Sequence, residues 1–434
     1  LFMLTMLTHY QFLHRCTRDN QKLFYTLALF FFILSVYFAV LIDLPLALEN
    51  LVAGQKPTRH LSDEYFETYQ IPWEKLGKDV FFLLALFFSM IVLYRRLKAC
   101  WSDDRPLTID TYFFFFLILI IAILAFRSLI QYGMWYTAVG LRANLALSAW
   151  IFGAIINRDS LLKIWRWITP LSIFQALIAI LQATVVSVDP GIRAVGTFFS
   201  PSTLGLFAAV FLLLTLNVNI KIWLRLVYGS IAILIVLLSR SRLAIGLTLI
   251  LIYFYLWLHI LPKRFRWLMI ALIPLMVIVG LYLLEVLSGR EDLFHNLFAE
   301  GVRLNATWKY AKNADFWKLF IGQGLGRGTA LSWVTKEAST LRPVEGFDQQ
   351  IGSSFVQGGL VLLITMMAFF LSPLIRRRHN FLSLALPTVM LGAMTATTVL
   401  ETWPANILLM MLYGYISEFE PTLTADSTQE RLQR

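Results

Sequence analysis

Apolar runs recur along almost the whole chain, most of them long enough to cross a bilayer and separated by short polar joints. They fall at about 23–42, 79–94, 112–126, 138–156, 167–187, 203–217, 223–238, 243–260, 267–286, 354–374, 382–399 and 404–417. The pattern predicts an all-α polytopic membrane protein with roughly twelve transmembrane helices. Two polar stretches interrupt the rhythm. One is acidic and runs from Leu51 to Lys78; the other, of about sixty-five residues, runs from Leu287 to Gly352. The expected organisation is therefore 1–286 with nine spans, 287–352 as a long loop carrying short helices, 353–420 with three further spans, and 421–434 as a tail.

Composition agrees with the pattern. The 434 residues are 58% hydrophobic and only 15% charged, a balance no soluble domain shows. The net charge of +11 invites a nucleic-acid reading, but its distribution argues against one. Basic residues gather in alternate joints: Arg15/Arg18/Lys22, Arg95/Arg96/Lys98, Arg158/Lys163/Arg166, Lys221/Arg225, Lys263/Arg264/Arg266 and Arg376/Arg377/Arg378. The intervening joints are acidic or sparsely charged, as with Asp63, Glu64, Glu67, Glu74 and Asp79. The positive-inside rule makes the first set cytoplasmic and places both termini inside, with a bilayer and no nucleic acid as the partner. Cys16 and Cys100 then lie on the cytoplasmic side, and no disulfide is expected. The first apolar run is too long for a cleavable signal and lacks an Ala-x-Ala site.

Eight arginines fall on the outer side against this rule: Arg127, Arg193, Arg240, Arg242, Arg290, Arg303, Arg327 and Arg342. Arg240 and Arg242 lie in Leu238-Ser239-Arg240-Ser241-Arg242-Leu243-Ala244, a junction with almost no loop between two apolar runs. Two cations there repel each other and lose hydration. One reading is a phosphate or diphosphate site, because a guanidinium fork matches phosphate oxygens. The other is snorkelling to headgroups, or pairing with Glu285 or Glu401. Arg142, inside an apolar run, is left without an assignment.

The segment Gly191 to Gly205 holds Ser200-Pro201-Ser202-Thr203, which suits a helix N-terminus. An interfacial turn fits equally. Arg303 to Ala311 reads as an amphipathic helix, with Leu304, Trp308 and Ala311 on one face. The stretch Gly322-Gln323-Gly324-Leu325-Gly326-Arg327-Gly328 has only a superficial likeness to a dinucleotide fingerprint, since no strand precedes it. It is expected to let the backbone turn tightly beside the membrane.

From about Gly191 onward these pieces, in this order, resemble the O-antigen ligase and O-antigen polymerase superfamily of bacterial envelope proteins. The resemblance rests on Gly196-Thr197-Phe198 with Pro201 and Gly205, on Ser241-Arg242-Leu243-Ala244, and on Arg303-Leu304 followed by Trp308. It continues with the Gly322, Gly324 and Gly326 turn, and with Asp348 ahead of Phe355-x-Gln357-x-Gly359-Leu360. The resemblance implies a multi-pass enzyme of the bacterial inner membrane, acting on the periplasmic face without cofactor or metal. Its donor would be an undecaprenyl-diphosphate-linked glycan and its acceptor a glycan or lipid-linked hydroxyl. By the same resemblance Arg242 and Arg303 hold the diphosphate, and Arg240 is the alternative register for Arg242. Ligases of this group carry His-Asn where this chain has Asp348-Gln349, so the polymerase form is the expectation.

Mechanistically, an inverting transfer is expected. Arg242 and Arg303, supported by Arg193 or Arg290, would neutralise the leaving diphosphate, so a metal is optional. Asp348 would orient or deprotonate the acceptor hydroxyl, or else it simply caps the helix that follows. Three rivals stay open: a ligase delivering finished glycan to lipid A core or another acceptor, a lipid-linked-sugar transporter, and a protein O-glycosylating transferase.

Overall fold

The structure, a computed structural model, describes residues 2–53, 73–102, 108–185, 193–198, 200–260, 262, 303–326, 350–376 and 380–418. Among these residues the regular secondary structure is all helix, with no strand. In chain order the helices are α1 (Phe2–Leu41), α2 (Leu44–Val52), α3 (Trp73–Ser102), α4 (Ile109–Asn144), α5 (Ala149–Ile155), α6 (Arg158–Val185) and α7 (Pro201–Asn217). They continue as α8 (Ile222–Ser239), α9 (Arg242–Tyr255), α10 (Arg303–Asn313), α11 (Phe316–Ile321), α12 (Gln350–Arg376), α13 (Phe381–Ala396) and α14 (Ala405–Glu418). Among the described residues, seven helical stretches are long and apolar enough to cross a membrane, and α7, α13 and α14 are shorter apolar helices. This is the architecture of a helical membrane protein.

Eleven of the twelve expected apolar runs lie on these helices; the run at 267–286 lies outside the described residues. The runs at 112–126 and 138–156 differ from expectation. They belong to one helical stretch, Ile109–Ile155, broken at Gly133 (φ 82, ψ 179) and tightened into a 3-10 turn at Leu145–Ser148. Of the expected long loop, 287–352, the described portion forms α10, α11, the Gly-rich turn and, at 350–352, the first residues of α12, which starts earlier than the expected span.

Packing follows from side-chain size. α1 and α3 lie side by side, with Phe31 stacked near Phe81 and Phe88. α7 is central: every residue from Leu204 to Thr215 is buried, as an evenly apolar helix requires. α5 and α14 cross where two glycines meet. A Cβ on Gly153 would stand 1.9 Å from the Met411 carbonyl oxygen, and one on Gly414 would stand 2.0 Å from that of Trp150. Small residues let helix backbones approach closely where lipid provides no hydrophobic force between helices. Against this crossing Phe114 stacks on Trp150 and Phe32 on Phe152, each pair 4.1 Å between ring centroids.

The basic joints have a structural use. Arg96 donates to the carbonyls of Ala154 and Ile155 at the end of α5, at 3.1 and 2.8 Å. Arg225 donates to Val218 just past α7, at 3.0 Å. Cations at helix C-termini satisfy the last carbonyls and complement the helix dipole.

Candidate functional site

At the opposite end of α3 from Arg95 and Arg96, the helix ends border an open cavity of ≈ 410 Å³. Its volume is within the range of small-molecule sites. Ala39, Ile42 and Asp43 line it from the end of α1, Lys78 from the start of α3, and Arg142 and Ala143 from the end of α4. Phe198 and Thr203 come from the entry to α7. The stretch between α13 and α14 supplies Thr397, Thr398, Glu401, Thr402 and Trp403.

A compact ion group supports the wall. Asp79, 7% exposed, accepts from Lys78 Nζ at 2.7 Å and from Arg142 Nε at 3.0 Å, one bond on each carboxylate oxygen. The Lys78 ammonium also stands 4.4 Å from the centre of the Trp403 ring. One anion thus fixes two cations of the cavity wall and joins α3 to the distal half of α4.

The cavity rim is built from non-helical backbone, which needs internal hydrogen-bond partners where water is scarce. Buried amide side chains provide them. In the turn before α7, Gln182 Oε1 accepts from the backbone N–H of Val195 and Gly196, at 3.0 and 2.9 Å, while its Nε2 donates to Gly196 O at 2.9 Å. Gln175 holds Thr197 in the same way, through the Thr197 N–H and hydroxyl. That hydroxyl in turn donates to Val40 O. The turn passes into α7 through Ser200, which caps the Thr203 N–H ahead of Pro201, as its sequence predicts.

The segment between α13 and α14 is held likewise. Gln350 Oε1 accepts from Leu400 N–H, its backbone N–H donates to Thr397 O at 3.0 Å, and Asn406 Nδ2 donates to Leu400 O at 2.6 Å. Glu401 therefore sits at the end of a short 3-10 turn, Val399–Glu401, whose backbone is tied on both sides.

The Gly-rich turn has a packing role. Gly322, Gly324 and Gly326 all have positive φ (68, 108 and 91). A Cβ on Gly326 would lie 2.3 Å from Tyr136 O, and one on Gly324 would lie 2.6 Å from Ser128 Oγ. The N–H groups of Gln323 and Gly324 donate to Val356 O and Gln357 O, in the stretch of α12 just before its break at Gly359 (φ 63). Those N–H groups are engaged, so they do not form a phosphate cradle. The tight turn expected from the sequence is present, wedged between α4 and α12, with Leu325 fully buried.

The arginines expected on the outer side, taken with Asp348, divide into four groups. Arg193 and the Arg240–Arg242 junction are brought together: Ala194 N–H bonds Leu238 O at 3.0 Å, so Arg193 and Arg240 each lie within two residues of that bond. Arg240 adopts a left-handed conformation (φ 47) that ends α8, and Arg242 opens α9 under the Ser241 cap. Arg303 begins α10. Arg127 donates its Nη1 to Ile321 O and Gly322 O at 3.0 and 3.2 Å and closes the end of α11. Asp348, Arg290, Arg327 and Arg342 lie outside the described residues.

Sequence reasoning missed Lys78, Arg142 and Glu401 as cavity residues, and Gln175, Gln182 and Gln350 as their supports. A signal existed for two of the supports. Gln175 and Gln182 are seven residues apart, on one face of an otherwise apolar helix. Among the described residues no three His, Cys, Asp or Glu side chains are grouped as metal ligands. Comparison with protein-family models finds none that matches this chain, and no curated protein matches it either.

Proposed function

We propose that this chain is a bacterial inner-membrane glycosyltransferase of the O-antigen polymerase type. It moves a glycan from undecaprenyl diphosphate to an acceptor hydroxyl on the periplasmic face, with inversion and without a metal. The observation that carries this reading is the polar cavity at one end of an apolar bundle, with Phe198 and Thr203 in its wall and Arg193, Arg240 and Arg242 on neighbouring segments. A lipid-diphosphate donor lies in the bilayer with its charge at the interface. An arginine cluster at helix ends suits that charge, and it stabilises a diphosphate best when the charge grows on departure.

The buried amides weigh against the transporter rival. Gln175, Gln182 and Gln350 are polar and lie within the bundle, yet the backbone of the rim occupies them, so they do not mark a polar path through it. Arg242 and Arg303 carry the diphosphate in this proposal, and Asp348 stays a candidate for the acceptor side.

The test is extension of purified undecaprenyl-diphosphate repeat units by the purified protein. Longer lipid-linked chains are expected, and Arg242→Ala and Arg303→Ala should each slow their formation by about 10²–10³-fold. Full activity of both variants would overturn the clamp. Transfer only when lipid A core is supplied would make the protein a ligase, and labelled lipid crossing proteoliposomes without chemistry would make it a transporter.

A further inference from the structure

We infer that the aromatic face of α11, made by Phe316, Trp317 and Phe320, is a lipid-binding surface that seats at the boundary between headgroups and acyl chains. The inference is independent of the glycosyl-transfer reading; it needs only that the chain be a helical membrane protein. Three observations carry it.

First, α11 has two unlike sides although it is only six residues long. At about 100° per residue, Phe316, Trp317 and Phe320 share one side. They are 65%, 68% and 45% exposed. The Phe316 ring stacks on Phe320 with centroids 5.6 Å apart and meets Trp317 edge-on at 5.7 Å, so the three form one aromatic surface. Leu319 and Ile321 are half-buried away from it, and Lys318 pairs with Asp315 at 2.7 Å. A contiguous exposed apolar patch marks a partner surface. Aromatic rings bordered by a cation fit the level of the lipid headgroups, where the rings meet acyl chains and the cation meets phosphate.

Second, the patch continues surfaces that meet lipid. In α4, Leu119, Ile123, Phe126 and Ile130 are each more than half exposed and recur at i, i+4, i+7 and i+11, one stripe along a membrane-length helix. Arg127, beside that stripe, bonds the carbonyls of Ile321 and Gly322 at the end of α11. In α12, Leu360 and Ile364 are exposed one turn apart. A Cβ on the neighbouring Gly359 would stand 2.5 Å from Phe320 O, so α11 rests directly on that helix. A water-soluble partner on the aromatic face would border acyl chains on both sides; a lipid leaflet continues across it without a seam.

Third, the ends of α11 are closed by the protein. The Asp315 side chain accepts from Lys318 N–H at 2.9 Å, and its carbonyl accepts from Leu319 N–H at 3.0 Å. At the other end Lys318 O accepts from Gly322 N–H at 3.0 Å, Arg127 takes the next two free carbonyls, and the N–H groups of Gln323 and Gly324 bond α12. Water would fill such bonds on a solvated loop. A segment at the acyl boundary must find them within the protein.

The experiment uses the full chain with Cys16→Ser and Cys100→Ser, in nanodiscs of phosphatidylethanolamine and phosphatidylglycerol. Nitroxide labels are placed at Phe316→Cys, Trp317→Cys and Phe320→Cys, with Lys318→Cys for the opposite side of α11 and Ile364→Cys as the lipid-facing reference. Collisions of each label with oxygen, which concentrates in acyl chains, and with a water-soluble nickel chelate are measured. The ratio of oxygen to nickel collisions at the three aromatic positions should exceed that at Lys318→Cys several-fold and approach that at Ile364→Cys. Nickel-dominated collisions there would place the face in water. Low collision with both reagents would place it under protein, whether another segment of this chain or a partner. Either result overturns the inference. A second measurement leaves the face almost intact. The fluorescence that Trp317 contributes, read as the difference between wild type and Trp317→Phe, should be quenched by lipids brominated near the top of their acyl chains. A difference that bromines leave unquenched would also overturn it.

Discussion

Neutralising Asp79 should destabilise the protein more than removing Arg142, although Arg142 is the larger side chain. Asp79 is nearly fully buried and accepts one charge-assisted hydrogen bond on each oxygen, from Lys78 at 2.7 Å and from Arg142 at 3.0 Å. In Asp79→Asn both bonds weaken, and Lys78 and Arg142 lose the buried anion they share. Removing the shared partner of a buried ion group costs about 3–5 kcal/mol. In Arg142→Met one bond is lost, about 1.5–3 kcal/mol. Lys78 and Asp79 remain a neutral pair, and the Lys78 ammonium keeps its place over Trp403. The double variant removes the shared anion together with one of its two cations. Its loss should therefore fall short of the sum of the two single losses by about 0.5–3 kcal/mol. Equilibrium unfolding of the three variants in detergent, followed by tryptophan fluorescence, measures all of these terms. The reasoning fails if Arg142→Met costs as much as Asp79→Asn, if Asp79→Asn lies within about 0.5 kcal/mol of wild type, or if the two losses simply add.

Glycine substitutions should separate by backbone and space. Gly326→Ala should cost several kcal/mol, on the order of 3, since its φ of 91 is strained for alanine and its Cβ would meet Tyr136 O at 2.3 Å. Gly246→Ala, in the middle of α9 with nothing within 4 Å, should instead stabilise by about 0.5–1 kcal/mol. The same unfolding measurement checks both, and equal effects would refute the packing role of the Gly-rich turn. Outside the membrane-spanning helices, the side-chain and backbone hydrogen bonds of Lys318 hold the Asp315 carboxyl below its ordinary 3.8. A depressed carboxylate contributes stability above its unfolded value and loses it as pH falls through the lower folded one, so the cap on α11 should release only below pH 3.8. A carboxyl carbon-13 titration of Asp315 with its midpoint at or above 3.8 would contradict this.

The positions of the helices were legible because an apolar run of bilayer length has almost no alternative to a helix in lipid. The tight turn at Gly322 to Gly326 and the Ser200-Pro201 helix start were legible for a local reason: both are set by backbone preferences of the residues themselves. The junction of Arg240 and Arg242 was visible as an anomaly of charge. Its nearness to Arg193 was not, because a hydrogen bond from Ala194 to Leu238 joins segments forty-four residues apart.

The sequence by itself determined a helical membrane protein, the alternation of charge between its joints and the places where its backbone must turn. Each of these depends on a residue and its near neighbours. Tertiary structure alone decided that Lys78, Asp79 and Arg142 form one ion group, that Arg127 closes a helix end, and that Glu401 faces a cavity alongside Thr203 and Trp403. A lone polar residue in an apolar run carries the same sequence signal whether it faces lipid, a carbonyl or a ligand. Only the packing of distant helices sets which of these it meets.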